Sequence, residues 1–223
     1  MRARREQLYA ANLALATAAF AALAAAALAW EDGAEADVRF VRWVHGSAPH
    51  ALVDLMQVLT YLGSSIVLGS LALAAAVVLV RRGASRTAVF VVTAFVASEV
   101  LDQALKAAFR RARPELENPF VRLTTYSFPS GHAFAATATY GALGLILAAR
   151  SSRTRRASVA ASAAILVAVV AASRVILGVH YLLDVLAGIA GGIAVLSALL
   201  LVFRGRHSGF GWQEQPEGSR VGP

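Results

Sequence analysis

Residues 180–203, HYLLDVLAGIAGGIAVLSALLLVF, decide the fold. A helix rises about 1.5 Å per residue and the hydrocarbon core of a bilayer is about 30 Å thick, so about 20 mainly apolar residues are needed to cross it. This stretch has that length, and its only ionisable side chains besides Tyr181, His180 and Asp184, stand four positions apart at its beginning. Backbone groups in hydrocarbon must be satisfied within their own segment, which makes the stretch helical. Gly188 and Gly192 give it a small-xxx-small spacing that lets a neighbouring helix come close.

Working outward, residues 9–30, 61–80, 87–109, 131–149 and 158–177 form five more such stretches. The chain therefore reads as an all-α polytopic membrane protein, a six-transmembrane-helix bundle in a single domain over residues 1–206. Its 223 residues are 58% hydrophobic with a mean hydropathy of +0.62, too apolar for a soluble domain. Residues 31–60 read as an outer loop with a short interfacial helix at 50–60. A second outer loop, 110–130, is punctuated by Pro114, Pro119 and Pro129, each of which disfavours helix at the residue before it. The polar tail 207–223, rich in Gly and Pro, is expected to be disordered. With no cysteine, disulfides and thiolate metal sites are excluded.

The net charge of +8 follows topology rather than nucleic acid. Arg2, Arg4 and Arg5 precede span one, and Arg81, Arg82 and Arg86 separate spans two and three. Arg150, Arg153, Arg155 and Arg156 separate four and five, and Arg204 and Arg206 follow six. Six crossings put all of these on one side, opposite Glu31, Asp32, Glu35, Asp37, Asp54, Glu115 and Glu117. The positive-inside rule then places both termini and the tail in the cytoplasm of a plasma-membrane protein. Arg2 to Ala29 also has the outline of a cleavable signal peptide, but its apolar run exceeds a signal core, so it is read as a retained span. Trp30 and Trp43 suit anchors at the membrane interface.

Charged groups at membrane depth cost about 2.5–3.5 kcal/mol each on insertion scales, so each calls for a reason. Lys106, the only lysine, lies near the outer end of span three, with Arg110, Arg111 and Arg113 beyond it. Span four begins outside after Pro129-Ser130-Gly131-His132, span five ends outside at Ser173-Arg174, and span six starts outside at His180. Topology alone brings these groups to one membrane face.

Lys106 and Arg113 are seven apart and share a face wherever the helix continues that far. With Arg174 they make a cationic cup suited to phosphate. Ser130 and Gly131 stand at a helix start, where free N–H groups favour an anion. Asp184, one turn from His180, can orient its ring and leave the other nitrogen as a nucleophile, while His132 can protonate a leaving alkoxide. Positive groups would stabilise the transferring phosphoryl, so no metal or other cofactor is expected. Asp102, four before Lys106, is read as its neutralising partner, and Arg110 and Arg111 as interfacial or structural.

Lys106-AAFRRA-Arg113-Pro114, Pro129-Ser130-Gly131-His132 and Ser173-Arg174-VILGV-His180-YLL-Asp184 resemble, at every fixed position, the tripartite signature of the type 2 phosphatidic acid phosphatase (PAP2) superfamily: K-x6-R-P, P-S-G-H and S-R-x5-H-x3-D. The resemblance implies that Lys106, Arg113 and Arg174 bind phosphate, helped by Ser130 and Gly131. It implies His180 as the nucleophile forming a phosphohistidine, His132 as acid–base group and Asp184 as orienting partner. It further implies metal-independent hydrolysis of a lipid phosphomonoester or pyrophosphate, such as undecaprenyl pyrophosphate, phosphatidic acid or phosphatidylglycerol phosphate, at an extracytoplasmic site. The partners expected are thus the bilayer and a lipid phosphate. Two alternatives stand beside this: a lipid phosphotransferase using the same site, and a non-catalytic anion-binding transporter or scaffold. Related vanadate-dependent haloperoxidases are soluble, unlike this chain.

Overall fold

In a computed structural model, which describes residues 2–29, 31–116, 123–149 and 151–205, the described residues form eight helices. They are α1 (Arg2–Ala29), α2 (Glu31–Ser47), α3 (His50–Leu59), α4 (Ser65–Arg81), α5 (Ser85–Phe109), α6 (Gly131–Ala148), α7 (Arg153–Ile176) and α8 (Leu182–Gly205). A 3₁₀ turn, Thr60–Gly63, joins α3 to α4. Trp30, Glu117, Pro119, Arg150, Arg206 and the tail 207–223 lie outside the described residues.

Five helices, α1 and α5 to α8, are long and apolar enough to cross a bilayer alone. The stretch expected at 61–80 differs. Its helix α4 has 17 residues, about 25 Å, which falls short of the hydrocarbon thickness. It reaches six crossings only together with the segment His50–Gly63, from which it bends by 42°. Ser64 stops the preceding turn and caps α4, its Oγ accepting from Val67 N–H at 3.3 Å.

The stretch 31–60, expected as an outer loop with one short helix, instead holds two helices, α2 and α3. The charges of α2 hide it from a hydropathy reading, yet its inward side carries Asp37 and Val41, one turn apart and both buried. Val41 packs on Ala171 and Val175 of α7, Tyr181 and Val185, so α2 is seated over the α7–α8 junction. Trp43 faces outward, 66% exposed.

Helix α6 is central, flanked by α5, α7 and α8, while α1 lies along α8 and α4 along α5. In lipid the drive for helix association is close packing rather than escape from water, so small residues decide it. Ala133, Ala135, Ala136, Ala138 and Ala142 of α6 are buried. Gly188 and Gly192 complete the contact: a Cβ added to them would meet Ser130 O at 2.6 Å and Phe134 O at 2.9 Å. Close α6–α8 contact is what sets Ser130 beside Asp184.

Candidate active site

Every group singled out by the sequence lies at one end of the bundle, where α5 and α7 end and α6 and α8 begin. Lys106, buried in the last turn of α5, donates from Nζ to both carboxylate oxygens of Asp102. That pairing matches the i, i+4 spacing. The condition for Arg113 to share that helical face, a helix reaching residue 113, is not met, because α5 stops at Phe109, where span three was expected to end. Arg110 adopts a left-handed conformation (φ 50°), its N–H bonded to Lys106 O at 3.0 Å, and the chain leaves the helix. Arg113 reaches the site along the loop instead. Its Nε donates to Thr125 O (2.7 Å), and Nη2 to Thr125 Oγ1 (2.8 Å) and Tyr126 O (3.2 Å). Nη1 donates to Val179 O at 2.6 Å and lies 3.2 Å from His180 Nε2.

The loop bearing Ser130 is anchored by Phe128, which is fully buried between Phe20 of α1 and Phe109 of α5, with ring centroids 5.7 and 5.1 Å away. Ser130 N–H bonds to Asp184 O at 2.9 Å, while its buried Oγ has no partner among the described residues. No side chain caps α6, so the N–H groups of its first turn remain available for an anion. Gly131 has a further reason to lack a side chain, because a Cβ there would meet Asp102 Oδ2 at 2.5 Å. His132 follows on α6, half-buried, against Gly63 and within electrostatic reach of Arg174, His180, Lys106 and Arg113.

Arg174, in the last turn of α7, donates from Nη1 to Thr60 Oγ1 (2.7 Å), and its buried Nε has no hydrogen-bond partner among the described residues. Just beyond, Gly178 turns with φ 69°, a conformation that side-chain-bearing residues rarely adopt, and Val179 and His180 N–H fold back onto Arg174 O at 3.2 and 3.3 Å. This turn presents His180 before α8 begins, two residues later than the expected start of that span.

The His180 ring is buried, with Nδ1 3.5 Å from both Asp184 Oδ2 and Ser127 Oγ. A guanidinium can only donate, so Nε2 beside Arg113 carries the lone pair and the ring proton sits on Nδ1, facing Asp184. Burial pushes the ring well below its ordinary pKa of 6.5, with Asp184 pulling the other way. The short bonds of Asp184 go elsewhere than the sequence suggests. Its Oδ2 accepts from Ser127 Oγ and from Tyr181 N–H (3.0 Å), and its Oδ1 from Arg111.

Four residues at the site were not found by sequence reasoning: Thr60, Ser127, Asp37 and Arg111. Of the interfacial and structural roles expected for Arg111, the structure favours the structural one, for its side chain is only 9% exposed and holds both Asp37 and Asp184. Its partners lie 74 and 73 residues away, beyond any local pattern. Among the described residues no group of three or more His, Asp or Glu side chains is arranged to hold a metal ion.

The profile of the PAP2 superfamily matches residues 87–208, more than half the chain and all three motifs. The chain belongs to the PAP2 superfamily. Phosphatidylglycerophosphatase B of Bacillus subtilis (strain 168) is 33% identical over 101 residues, 44% of this chain. That match spans about half, 49%, of the curated relative's length. The crystal structure of the transmembrane PAP2 type phosphatidylglycerolphosphate phosphatase from Bacillus subtilis aligns with a TM-score of 0.78 at 26% identity, over 85% of this chain and 94% of that one. Aquifex aeolicus LpxE shares the fold, with a TM-score of 0.55 at 23% identity over 73% and 93% of the two chains. A membrane-embedded PAP2 helical bundle is therefore the fold.

Proposed function

We propose that this PAP2 protein is a membrane lipid phosphatase that works through a phosphohistidine. The observation carrying the reading is the lone pair of His180 Nε2, held 3.2 Å from the Arg113 guanidinium, in a cup that Lys106, Arg174 and the uncapped start of α6 share. The cations, the unpartnered Ser130 hydroxyl and the free N–H groups from Gly131 onward at the start of α6 take the phosphate oxygens. His180 Nε2 attacks phosphorus, an N–P bond forms, and the P–O bond to the lipid breaks. His132 gives its proton to the departing alkoxide, then accepts one from the water that splits the N–P bond. Asp184 stabilises the ring as it becomes positive. Aimed positive groups stabilise charge best in a dry site, where each donor removed costs about 10²–10³ in kcat.

The substrate class is a lipid phosphomonoester or pyrophosphate. Phosphatidylglycerophosphate leads because the Bacillus subtilis phosphatase matched in sequence and in structure carries it in its name, with phosphatidic acid and undecaprenyl pyrophosphate next. The arginine clusters at the other end of the bundle favour an extracytoplasmic site with both termini in the cytoplasm of the plasma membrane. The test is a panel of these three lipids and a soluble sugar phosphate, given to purified protein in chelator. Phosphate release from a lipid, lost in His180→Ala, is expected; no release from any lipid, or full activity in that variant, rejects the reading.

A further inference from the structure

Outside the three motifs, a buried chain of charges runs from α2 to the start of α8. Asp37 Oδ1 accepts from Leu182 N–H at 2.9 Å and from Leu183 N–H at 3.4 Å, so a side chain from α2 caps α8. Its Oδ2 takes Arg111 Nη2 at 3.0 Å. Arg111 Nη1 holds Asp184 Oδ1, and the guanidinium lies 4.2 Å from the centre of the Tyr181 ring. Asp37 and Asp184 are nearly inaccessible, with side chains 3% and 0% exposed. With Oδ1 gripped by Arg111 and Oδ2 by Ser127 and Tyr181 N–H, Asp184 has one pose, and Oδ2 is the oxygen facing His180.

We propose that Asp37 and Arg111 are positioning residues for the nucleophile, aiming Asp184 and keeping its charge available to His180. The proposal rests on the reading of His180 as the nucleophile. Arg111 alone would neutralise Asp184. Shared between two carboxylates, it leaves the trio one net negative charge, next to a ring that turns positive when its nitrogen bonds to phosphorus. Replacing a whole buried ion network by well-packed apolar side chains is often neutral, so fold stability alone does not call for three charges here.

The variants Asp37→Asn, Arg111→Gln and their double distinguish the two. The first keeps a side-chain oxygen to cap α8 but loses the charge and the oxygen that accepts from Arg111. Hydrolysis of dioctanoyl phosphatidylglycerophosphate and dioctanoyl phosphatidic acid in detergent micelles is measured, with gel-filtration elution as the folding check. Each single variant is expected to lower kcat about tenfold with KM within twofold, because the contact matters as charge develops. The double variant is expected to lose no more than the worse single one, as members of one network do. Wild-type kcat in D37N, a change in KM alone, or losses that multiply would overturn the proposal. If D37N elutes aggregated, R111K decides on the same readouts, because an ammonium cannot fork to both carboxylates. Wild type without activity, or active His180→Ala, would instead sink the phosphatase reading itself.

Discussion

Replacing Gly131 by alanine is the smallest change that should reach the phosphate cup. The new Cβ would stand 2.5 Å from Asp102 Oδ2, 2.9 Å from its Cγ and 3.1 Å from Oδ1, so the whole carboxylate is in the way. To regain ordinary contact it must retreat by about 0.9 Å, and a gap of that size already forfeits much of a contact's attraction. Asp102 and Lys106 are both buried, with side chains 8% and 9% exposed, so the carboxylate has no solvent to swing into and Lys106 moves with it. A hydrogen bond to a charged group contributes about 1.5–3 kcal/mol. If Lys106 loses that much toward the transition state, at 1.36 kcal/mol per decade, kcat/KM falls by about 10- to 150-fold. The assay is phosphate release from micellar phosphatidylglycerophosphate, alongside thermal unfolding in the same detergent. The control is Gly192→Ala, whose Cβ meets Phe134 O at 2.9 Å but touches nothing in the cup. It should lower the melting temperature and leave kcat/KM per folded molecule near wild type. A Gly131→Ala protein with wild-type kcat/KM would refute the link from Gly131 through Asp102 to Lys106.

Other outcomes follow from the same geometry. His180→Gln should abolish turnover, by at least about 10³-fold, and with it any acid-labile, base-stable phosphoprotein trapped from labelled lipid. Thr60→Val removes the hydroxyl that takes Arg174 Nη1, worth about 1 kcal/mol, and should lower kcat/KM about fivefold without changing expression. A burial-depressed His180 stays neutral as pH falls, so the acid limb of kcat/KM should lie below 6.5; a limb at or above 6.5 in free enzyme contradicts the assignment. Phe128→Ala empties a fully buried aromatic site between α1 and α5, and should cost about 3–5 kcal/mol, read as a large drop in melting temperature.

The bundle and its motif groups were legible because both signals are local. Apolar runs of membrane length announce α1 and α5 to α8, and the order of crossings alone sends Lys106, His132, Arg174 and His180 to one end. The i, i+4 pair Asp102–Lys106 could be read the same way. What escaped was long-range or masked. Among its described side chains helix α2 buries only Asp37 and Val41 amid charges, so it has no hydropathy signature. Arg111 looks like its exposed neighbour Arg110, and only a contact across 73 residues reveals it. The end of α5 before Arg113 is signalled by Pro114, but the left-handed turn at Arg110 that aims the loop is not. The second crossing was placed too simply, for Thr60–Gly63 is bent to bring Thr60 to Arg174.

The bond from Ser130 N–H to Asp184 O, together with the glycine contact below it, joins the segments bearing the two histidines backbone to backbone. Their separation is set by main-chain atoms and not by the packing of α1 or α4. On the phosphatase reading, a lipid tail that wedges α1 or α4 aside can therefore enter without pulling the proposed proton donor and nucleophile apart. Breadth of acyl or prenyl chain and fidelity of phosphoryl chemistry become separately adjustable, so one can drift over evolutionary time while the other stays fixed.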